Sequence, residues 1–510
     1  MKLFPERYKI SKPKEPPLQS YLFGHRLQAS QTKYEYLLEF LMIALARKKN
    51  GITDRPDDTM FPIDGNGGND NIKYYPEARI GLKRFIFYPK SKMEGKAEVD
   101  NKAYDACVKA LYEHIEADSD IKRQNAVTII QNLLNGFCAV NQNRSWFDQN
   151  MLPVCREAVM PESMGIKSWR QHLDFDMDRA KVDTRFDFKK NTYFCRGGEV
   201  YYLHLLSAIN EYPEKKNIIE KRLSQMIDSF PQFSYLCSFI QETWDEYMNM
   251  DAIPDDSSSQ KIEKDPKFIP AAFAKHNAYT LSELENFLCS KTHPFEKMEI
   301  FSDAIILQLL RLSYMVSSSE SSSNCWVIDV NSRDIDNEEV KKAAINAFRK
   351  NEETINNYLY NGLELYREKL NIKDDAAVIK KAAEDSYKLF RKMGKTIGII
   401  IPAKGPGMRF TLPENIIKFL VLSIIPPRNI ITLDEFLNQL YKHYGIVVGP
   451  DEYREEIKNG TIEEVTDLSF MVENKRAFAQ KLKDCGFLRD LSDATAIVEN
   501  PYETEREGDV

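Results

Sequence analysis

Apolar residues recur at intervals of three and four positions along most of this chain, and this helical period constrains the fold more than any other feature. One region departs from it, because polar and apolar residues alternate between His172 and Leu205 as they do in strands. The chain of 510 residues is also too long for one domain, since domains average roughly 150 residues. The sequence therefore predicts a mainly α, multidomain α+β protein with an inserted antiparallel hairpin region.

Breaks in composition divide the chain into six predicted segments. Prolines at positions 5, 13, 16 and 17 favour an extended start, because proline lacks a backbone donor, and the run from Ser317 to Asn324 is typical of a flexible linker. The segments are an extended proline-rich arm (1–30), a helical N-terminal domain (31–165), an α+β domain with an acidic hairpin and an R-G-G-E turn (166–316), a Ser-rich linker (317–324), a helical domain with short strands (325–410) and a C-terminal domain (411–510).

Two local patterns near the N-terminus give finer expectations. Helical spacing from Thr32 leads into the basic Arg47–Lys49, which predicts one helix with a basic last turn. The segment from Arg79 to Tyr88 is predicted as a strand.

The charge distribution limits the classes of partner. Net charge is −7, yet residues 1–110 hold 20 basic against 14 acidic residues, while residues 411–510 hold 11 against 19. Phosphate binding needs a basic face, so a wholesale nucleic-acid coat is excluded and only a local basic surface near the N-terminus stays open. The alternative for that region is a solvated lysine-rich surface.

Targeting and cysteine patterns indicate a cytoplasmic protein. Met1–Arg7 is followed by three lysines and no apolar run, and no apolar stretch approaches the roughly 18 residues of a membrane span. The eight cysteines are scattered with no C-x-x-C pair, which argues against a zinc site and a disulfide framework. We expect reduced cysteines, no membrane partner and no assigned cofactor.

The last hundred residues contain an ordered set of short elements. Thr411–Glu414 and Thr432–Glu435 each have the spacing of a capping box at the start of a helix. The predicted order is a helix ending at Pro426-Pro427, a minor strand at Ile430-Ile431, a helix ending at Gly445, a third helix at Asn474–Asp484, and strands at Gly486–Leu491 and Ala494–Val498.

This order resembles the winged-helix family, with an insertion at 446–469. The resemblance implies that the third helix can contact DNA, through residues expected to point outward: Lys475, Arg476, Gln480, Lys481 and Lys483. Against DNA, the domain is acidic and would repel a duplex, which favours a protein partner. Both readings stay open at this point.

A second constellation suggests metal chemistry. Strict alternation places Asp174, Asp176 and Asp178 on one face of a strand, and Arg196 and Glu199 flank a glycine pair shortly downstream. Carboxylates bind divalent metal ions and arginine stabilises charge on phosphate, so the set predicts a metal-dependent nuclease. The alternative is a solvated hairpin face followed by a turn with an Arg–Glu pair at a helix start.

No motor or nucleotide-binding motif accompanies these features. In overall texture the chain resembles accessory proteins of bacterial DNA-defence and restriction systems. The resemblance implies a non-catalytic accessory or scaffold subunit of an antiviral-defence assembly, in contact with an ATPase or nuclease subunit and with DNA as a second candidate partner. The alternatives are a metal-dependent nuclease or phosphotransfer enzyme, in which a divalent metal would be the cofactor, and a DNA-binding regulator.

Overall fold

A computed structural model describes the greater part of the chain. The described residues are 3–4, 27, 31–49, 56–57, 59–63, 72–76, 79–90, 98–139, 149–160, 197–249, 269–318, 325–330, 337–370, 380, 383–384, 386–492 and 495–504.

Fifteen α-helices and twelve short strands make up the described part, which confirms the mainly α, multidomain prediction. The helices are α1 Lys33–Leu45, α2 Ile80–Phe87, α3 Glu98–His114, α4 Asp120–Asn135, α5 Gly197–Glu211, α6 Lys216–Ile227, α7 Pro231–Asn249, α8 Asn277–Cys289, α9 Pro294–Ser317, α10 Glu338–Leu370, α11 Tyr387–Thr396, α12 Glu414–Ile424, α13 Leu433–Tyr444, α14 Pro450–Lys458 and α15 Ser469–Asp484. The strands are β1 Leu3–Phe4, β2 Arg47–Lys49, β3 Pro56–Asp57, β4 Lys73–Tyr75, β5 Ile269–Pro270, β6 Trp326–Val327, β7 Ile400–Ile401, β8 Arg409–Phe410, β9 Ile430–Thr432, β10 Ile446–Val447, β11 Leu488–Ser492 and β12 Thr495–Glu499.

The largest apolar core is built around α9, a long helix that is buried almost all round. Helices α1, α5, α8 and α12 pack against it or against one another, and the core includes residues on both sides of the predicted Ser-rich linker, from Leu27 to Val498. Helix α9 is long and apolar enough to span a bilayer, yet 94% of its most apolar window is buried inside the protein. It is therefore placed as a core helix.

Two smaller apolar cores flank the large one. The first unites α2, α3, α4 and α7 with the segment 151–160, around fully buried Phe85, Ile86 and Leu134. The second joins β6, α10, β10, α14 and α15 around Val327, Val447 and Met471. The described residues therefore form three apolar cores, and the second small core connects residues far apart in sequence.

Two local predictions near the N-terminus were wrong. Arg79 to Tyr88 is not a strand, because Leu82, Phe85 and Ile86 lie at helical spacing and are all fully buried on one face of α2. Arg47–Lys49 does not end a helix but forms β2, which pairs with β3 and β4. The ammonium of Lys48 nevertheless donates to the carbonyl of Ala44 at 2.7 Å and so caps the preceding helix.

Candidate interface of the C-terminal unit

Apart from its insertion at 446–469, the C-terminal unit (residues 411–504) combines three helices with a three-stranded sheet. Strand β12 lies between β11 and β9, antiparallel to both, with Val498 opposite Leu488 and Ile431. Helices α13 and α15 pack on this sheet and α12 packs on α13, with Leu420, Phe436 and Phe478 buried in the shared core. The insertion predicted at 446–469 contains β10 and α14.

One of the two predicted capping boxes forms. At α13 the Thr432 hydroxyl accepts from the Glu435 N–H, and the Glu435 carboxylate accepts from the Thr432 N–H at 2.9 Å. The Thr432 N–H and the Thr432 hydroxyl both donate to the Glu435 carboxylate and lower its pKa. At α12 the N-cap is Pro413, and Thr411 lies two residues before it, outside the helix and its cap. The box predicted at Thr411–Glu414 is therefore wrong.

The unit is completed by a segment that precedes it by about eighty residues of chain. Strand β6 pairs in parallel with β10, with Trp326 opposite Ile446. The Trp326 ring, 1% exposed, stacks on Phe410 with centroids 4.7 Å apart. The segment 325–330 is therefore an integral strand of this unit.

A single buried side chain on α15 fixes that segment. The amide of Asn474 donates to the carbonyls of Ile328 (3.0 Å) and Val448 (2.9 Å), and its oxygen accepts from the Val330 N–H (3.2 Å). Asn474 is 4% exposed, so all three bonds lie out of water. Because a buried backbone group without a partner is costly, this residue determines how β6 and β10 meet.

Lys481 does not point outward as predicted. Its ammonium donates to the carbonyls of Val330 (2.8 Å) and Leu412 (3.3 Å). Burial lowers its pKa, with nearby Cys485 and Asp329 acting in the opposite direction. The lysine stabilises the end of segment 325–330 and is not available to a phosphate.

The other predicted DNA-contact residues lie nearer the surface, and most have an acidic neighbour. Lys475 pairs with Asp434, Lys483 with Asp490 at 2.7 Å, and the Gln480 amide donates to Asp484 at 2.7 Å. Arg476 is exposed. The exposed stripe of α15 also contains Glu473 and Asp484, so this face mixes both signs of charge. Such a face offers little net attraction to a phosphate backbone.

A buried ionic cluster links α13 of the unit to α8 and α9, and no sequence pattern predicted it. Glu283 of α8 accepts from Arg311 of α9 at 3.2 Å, from Gln308 at 2.8 Å, and interacts with the His443 ring of α13 at 3.0 Å. Arg311 also donates to the His443 carbonyl at 2.7 Å. Glu283 and Arg311 are each 1% exposed.

The cluster shifts the protonation of its neighbours. Burial opposes ionisation of Glu283, but Arg311 and His443 outweigh it and lower the pKa of this carboxyl. Burial and the charge of Arg311 lower the pKa of His204 to about 3 and that of His276 to about 4. At neutral pH the Glu283–Arg311 pair therefore lies beside His204 and His276, which are both neutral.

The residues of the nuclease hypothesis are only partly described. Asp174, Asp176, Asp178 and Arg196 lie outside the described residues. Glu199, 1% exposed, accepts a hydrogen bond from the Tyr74 hydroxyl at 2.6 Å. The turn predicted at the R-G-G-E sequence is wrong for its described part, because Gly197, Gly198 and Glu199 form the first turn of helix α5.

The glycine pair has a packing role. A Cβ on Gly198 would lie 2.4 Å from the Phe40 nitrogen and 2.5 Å from the Tyr36 carbonyl, so glycine allows α5 to cross α1 closely. The Gly198 N–H donates to Glu39 at 2.7 Å. Within the described ranges, no group of three or more histidine, cysteine or carboxylate side chains has metal-site geometry.

Comparison with known proteins gives one finding. Residues 410–502 match the family model described as methylation-associated defense system protein MAD7. No curated protein and no solved structure matches the chain. The match covers under a fifth of the sequence and links its C-terminal unit to a defence system.

Proposed function

We propose that this chain is a non-catalytic, cytoplasmic subunit of a methylation-associated defence assembly, and that its C-terminal unit is a winged-helix domain that contacts a partner protein. The observation that carries the proposal is the neutralised face of α15. Lys481 is turned inward, and Lys475 and Lys483 each have a carboxylate neighbour. The match at 410–502 supports the defence context.

The element and strand order of the unit support the winged-helix part of the proposal. A helix, strand, helix, helix and hairpin follow one another, and the hairpin strand β12 lies beside the early strand β9. In DNA readers of this kind the third helix presents its basic residues to the duplex. Here Asn474 and Lys481 of the same helix bind segment 325–330 of their own chain. The residues of α15 that stay exposed carry both signs of charge, which favours contact with a protein over contact with a phosphate backbone.

The surface charge indicates the chemistry of that partner. Exposed acidic residues cluster after α14, at Glu463, Glu464 and Asp467. Complementary potential favours association and orients the encounter, so we expect the partner, a nuclease or ATPase subunit, to present a basic surface.

The test is co-purification of the full chain with the proteins encoded beside its gene. The matched variants are Glu463→Lys with Glu464→Lys on the C-terminal unit, and Glu113→Lys on the exposed side of α3. We expect the first to lower affinity for one neighbour by about tenfold, or 1.4 kcal/mol, and the second to leave it unchanged.

DNA is measured in the same experiment, with a fluorescent duplex at low and physiological salt. The protein-contact proposal predicts weak binding. Tight binding with a steep salt slope, lost on Arg476→Ala with Lys483→Ala, would instead establish the DNA-binding regulator. Metal-stimulated cleavage by the purified chain, lost in a triple alanine variant of Asp174, Asp176 and Asp178, would establish the nuclease.

A further inference from the structure

The segment 386–413 carries one sign of charge only. Its 28 residues include six lysines or arginines and no aspartate or glutamate, although the whole chain has 70 basic and 77 acidic residues. All of the segment is described, and it contains helix α11 and the hairpin of β7 and β8. The six basic residues are Lys388, Arg391, Lys392, Lys395, Lys404 and Arg409.

The two arginines of the segment bind carboxylates within the protein. Arg391 donates twice to Glu352 of α10, once from Nη2 at 2.6 Å. Arg409 pairs with Asp329, and the two side chains are 12% and 11% exposed. Both arginines therefore serve the fold, and the four lysines remain.

The four lysines form one continuous patch, the lysine surface. Lys388, Lys392 and Lys395 are spaced four and three residues apart, so they lie on one face of α11 and span roughly 10 Å along its axis. The ammonium of Lys395 donates to the Ala403 carbonyl at 3.2 Å, which joins this face to the loop between β7 and β8. Lys404 follows in that loop and is exposed, as are Lys388 and Lys392.

This arrangement of charge is unfavourable for the protein alone. Lys388 lies in the first turn of α11, where the helix dipole favours an anion, and that turn has no acidic residue. Lys392 follows Lys388 by four positions, and like charges at this spacing repel. A bound anion would relieve both effects.

The carboxylates near the lysine surface do not neutralise it. Those of Glu352 and Glu414 each pair with a cation outside this surface. Glu384, one turn before Lys388, is half-buried and does not pair with it. Within the described ranges no carboxylate pairs with Lys404 either.

The composition of the segment distinguishes between classes of anionic partner. Protein interfaces are enriched in aromatic residues and depleted in lysine, and single strands bind by stacking on aromatic rings. Segment 386–413 has no exposed aromatic or large apolar side chain. RNA is distinguished through its 2′-hydroxyl, and the exposed hydroxyl of Thr396 already donates to the Lys392 carbonyl at 2.9 Å. What the surface offers is positive charge, and lysine binds phosphate as a point charge.

We propose that the lysine surface binds the phosphate backbone of duplex DNA without reading its sequence. The loop between β7 and β8 adds exposed backbone from 403 to 406. Gly405 has a φ of +97°, and a Cβ there would have no heavy atom within 4 Å, so the backbone is open to a phosphate. This contact is separate from the partner-protein contact proposed for the C-terminal unit.

The number of lysines sets the strength of binding. Each phosphate contact contributes about −0.9 to the slope of log affinity against log salt, so four give about −3.6. We therefore expect weak binding at physiological salt, in the range of about 10⁻⁴–10⁻⁶ M, and much tighter binding at low salt.

Fluorescence anisotropy of the full chain with a random-sequence duplex, at about 50 and 200 mM salt, tests the proposal. Replacing the three exposed lysines should weaken binding at low salt by about tenfold or more and bring the slope close to about −0.9. The variant is Lys388→Ala, Lys392→Ala and Lys404→Ala. The matched control removes three exposed lysines elsewhere: Lys109→Ala, Lys442→Ala and Lys458→Ala. It should bind as the wild type does, as should Arg476→Ala with Lys483→Ala.

Amide exchange locates the contact without any substitution, and so covers the case of a variant with an altered melting temperature. The duplex should slow exchange at 403–407 more than in α15. The proposal is overturned by absence of binding at low salt, by equal loss in the control, or by protection confined to α15. Displacement by charge-matched poly-glutamate as readily as by duplex, or tighter binding of a single strand, would also overturn it. Affinity for the partner protein is measured separately, so failure of one proposal leaves the other intact.

Discussion

In the C-terminal unit, Asn474, Lys481 and His443 direct polar atoms into the protein, whereas in α4 the apolar Ile121 and Ile129 face solvent. Both regions are amphipathic helices by sequence. They differ in what lies beside them. Segment 325–330 and Glu283 of α8 supply partners for the polar groups of the first, and no described element covers the apolar face of the second. The comparison teaches that the sequence of a helix predicts which side chains require a hydrogen-bond partner or burial. Only the fold shows which residues supply that partner or cover.

The largest effect is expected at the buried Glu283–Arg311 pair, which tests whether the polar groups of the C-terminal unit depend on buried partners. Glu283→Ala leaves Arg311 buried without its carboxylate, and we expect it to lower the free energy of unfolding by about 3–5 kcal/mol. Urea denaturation measures the change, with exposed Glu463→Ala as the control. A loss below 1 kcal/mol would mean that water reaches Arg311.

A smaller effect is expected at Asn474, which bonds segment 325–330 to α15. Asn474→Ala removes the partners of the Ile328 and Val448 carbonyls and of the Val330 N–H, which should cost about 2–3 kcal/mol. Amide exchange at residues 326–330 should accelerate more than at β11 and β12. Equally faster amide exchange throughout the unit would contradict a local role for Asn474.

Acid should weaken the contacts around the Glu283–Arg311 pair. The folded pKa of His204 is lowered to about 3 from an ordinary 6.5, so the unfolded chain takes up the proton first as pH falls. Its stabilising contribution is complete above about pH 6.5 and declines below it, by about 1–2 kcal/mol at pH 5. His276 acts in the same direction, and Glu283, whose pKa is lowered, adds its loss below its ordinary value. Thermal melts from pH 7.5 to 5 measure the decline, and His204→Phe should flatten it.

The smallest effect is expected on the exposed face of α4. Ile121→Gln on the exposed face of α4 should change the free energy of unfolding by less than about 0.5 kcal/mol, since 73% of the side chain is already in water. Leu134→Ala on the buried face should cost about 2–5 kcal/mol. Equal costs in dilute solution would show that the outer face is covered within one chain.

The same contrast explains what the sequence could and could not predict. The Thr432–Glu435 box and the third helix rest on contacts within a few residues, and their spacing identified them. The inward course of Lys481 depends on Val330, 151 positions away, and that of Asn474 on residues up to 146 positions away. At Arg79–Tyr88 the sequence does contain the helical spacing of Leu82, Phe85 and Ile86, but a segment this short and apolar is also compatible with a strand.

The parallel pairing of β6 with β10 has a consequence for protein synthesis. A nascent chain that stops before Asn474 has already made residues 325–330, but it lacks the amide that satisfies their backbone groups. Trp326, buried against Phe410 in the complete protein, belongs to a core that then lacks Phe478 and Leu482 of α15. We therefore expect a product truncated before Asn474 to leave the backbone of residues 328–330 without these partners and to be cleaved faster by proteases than the intact chain.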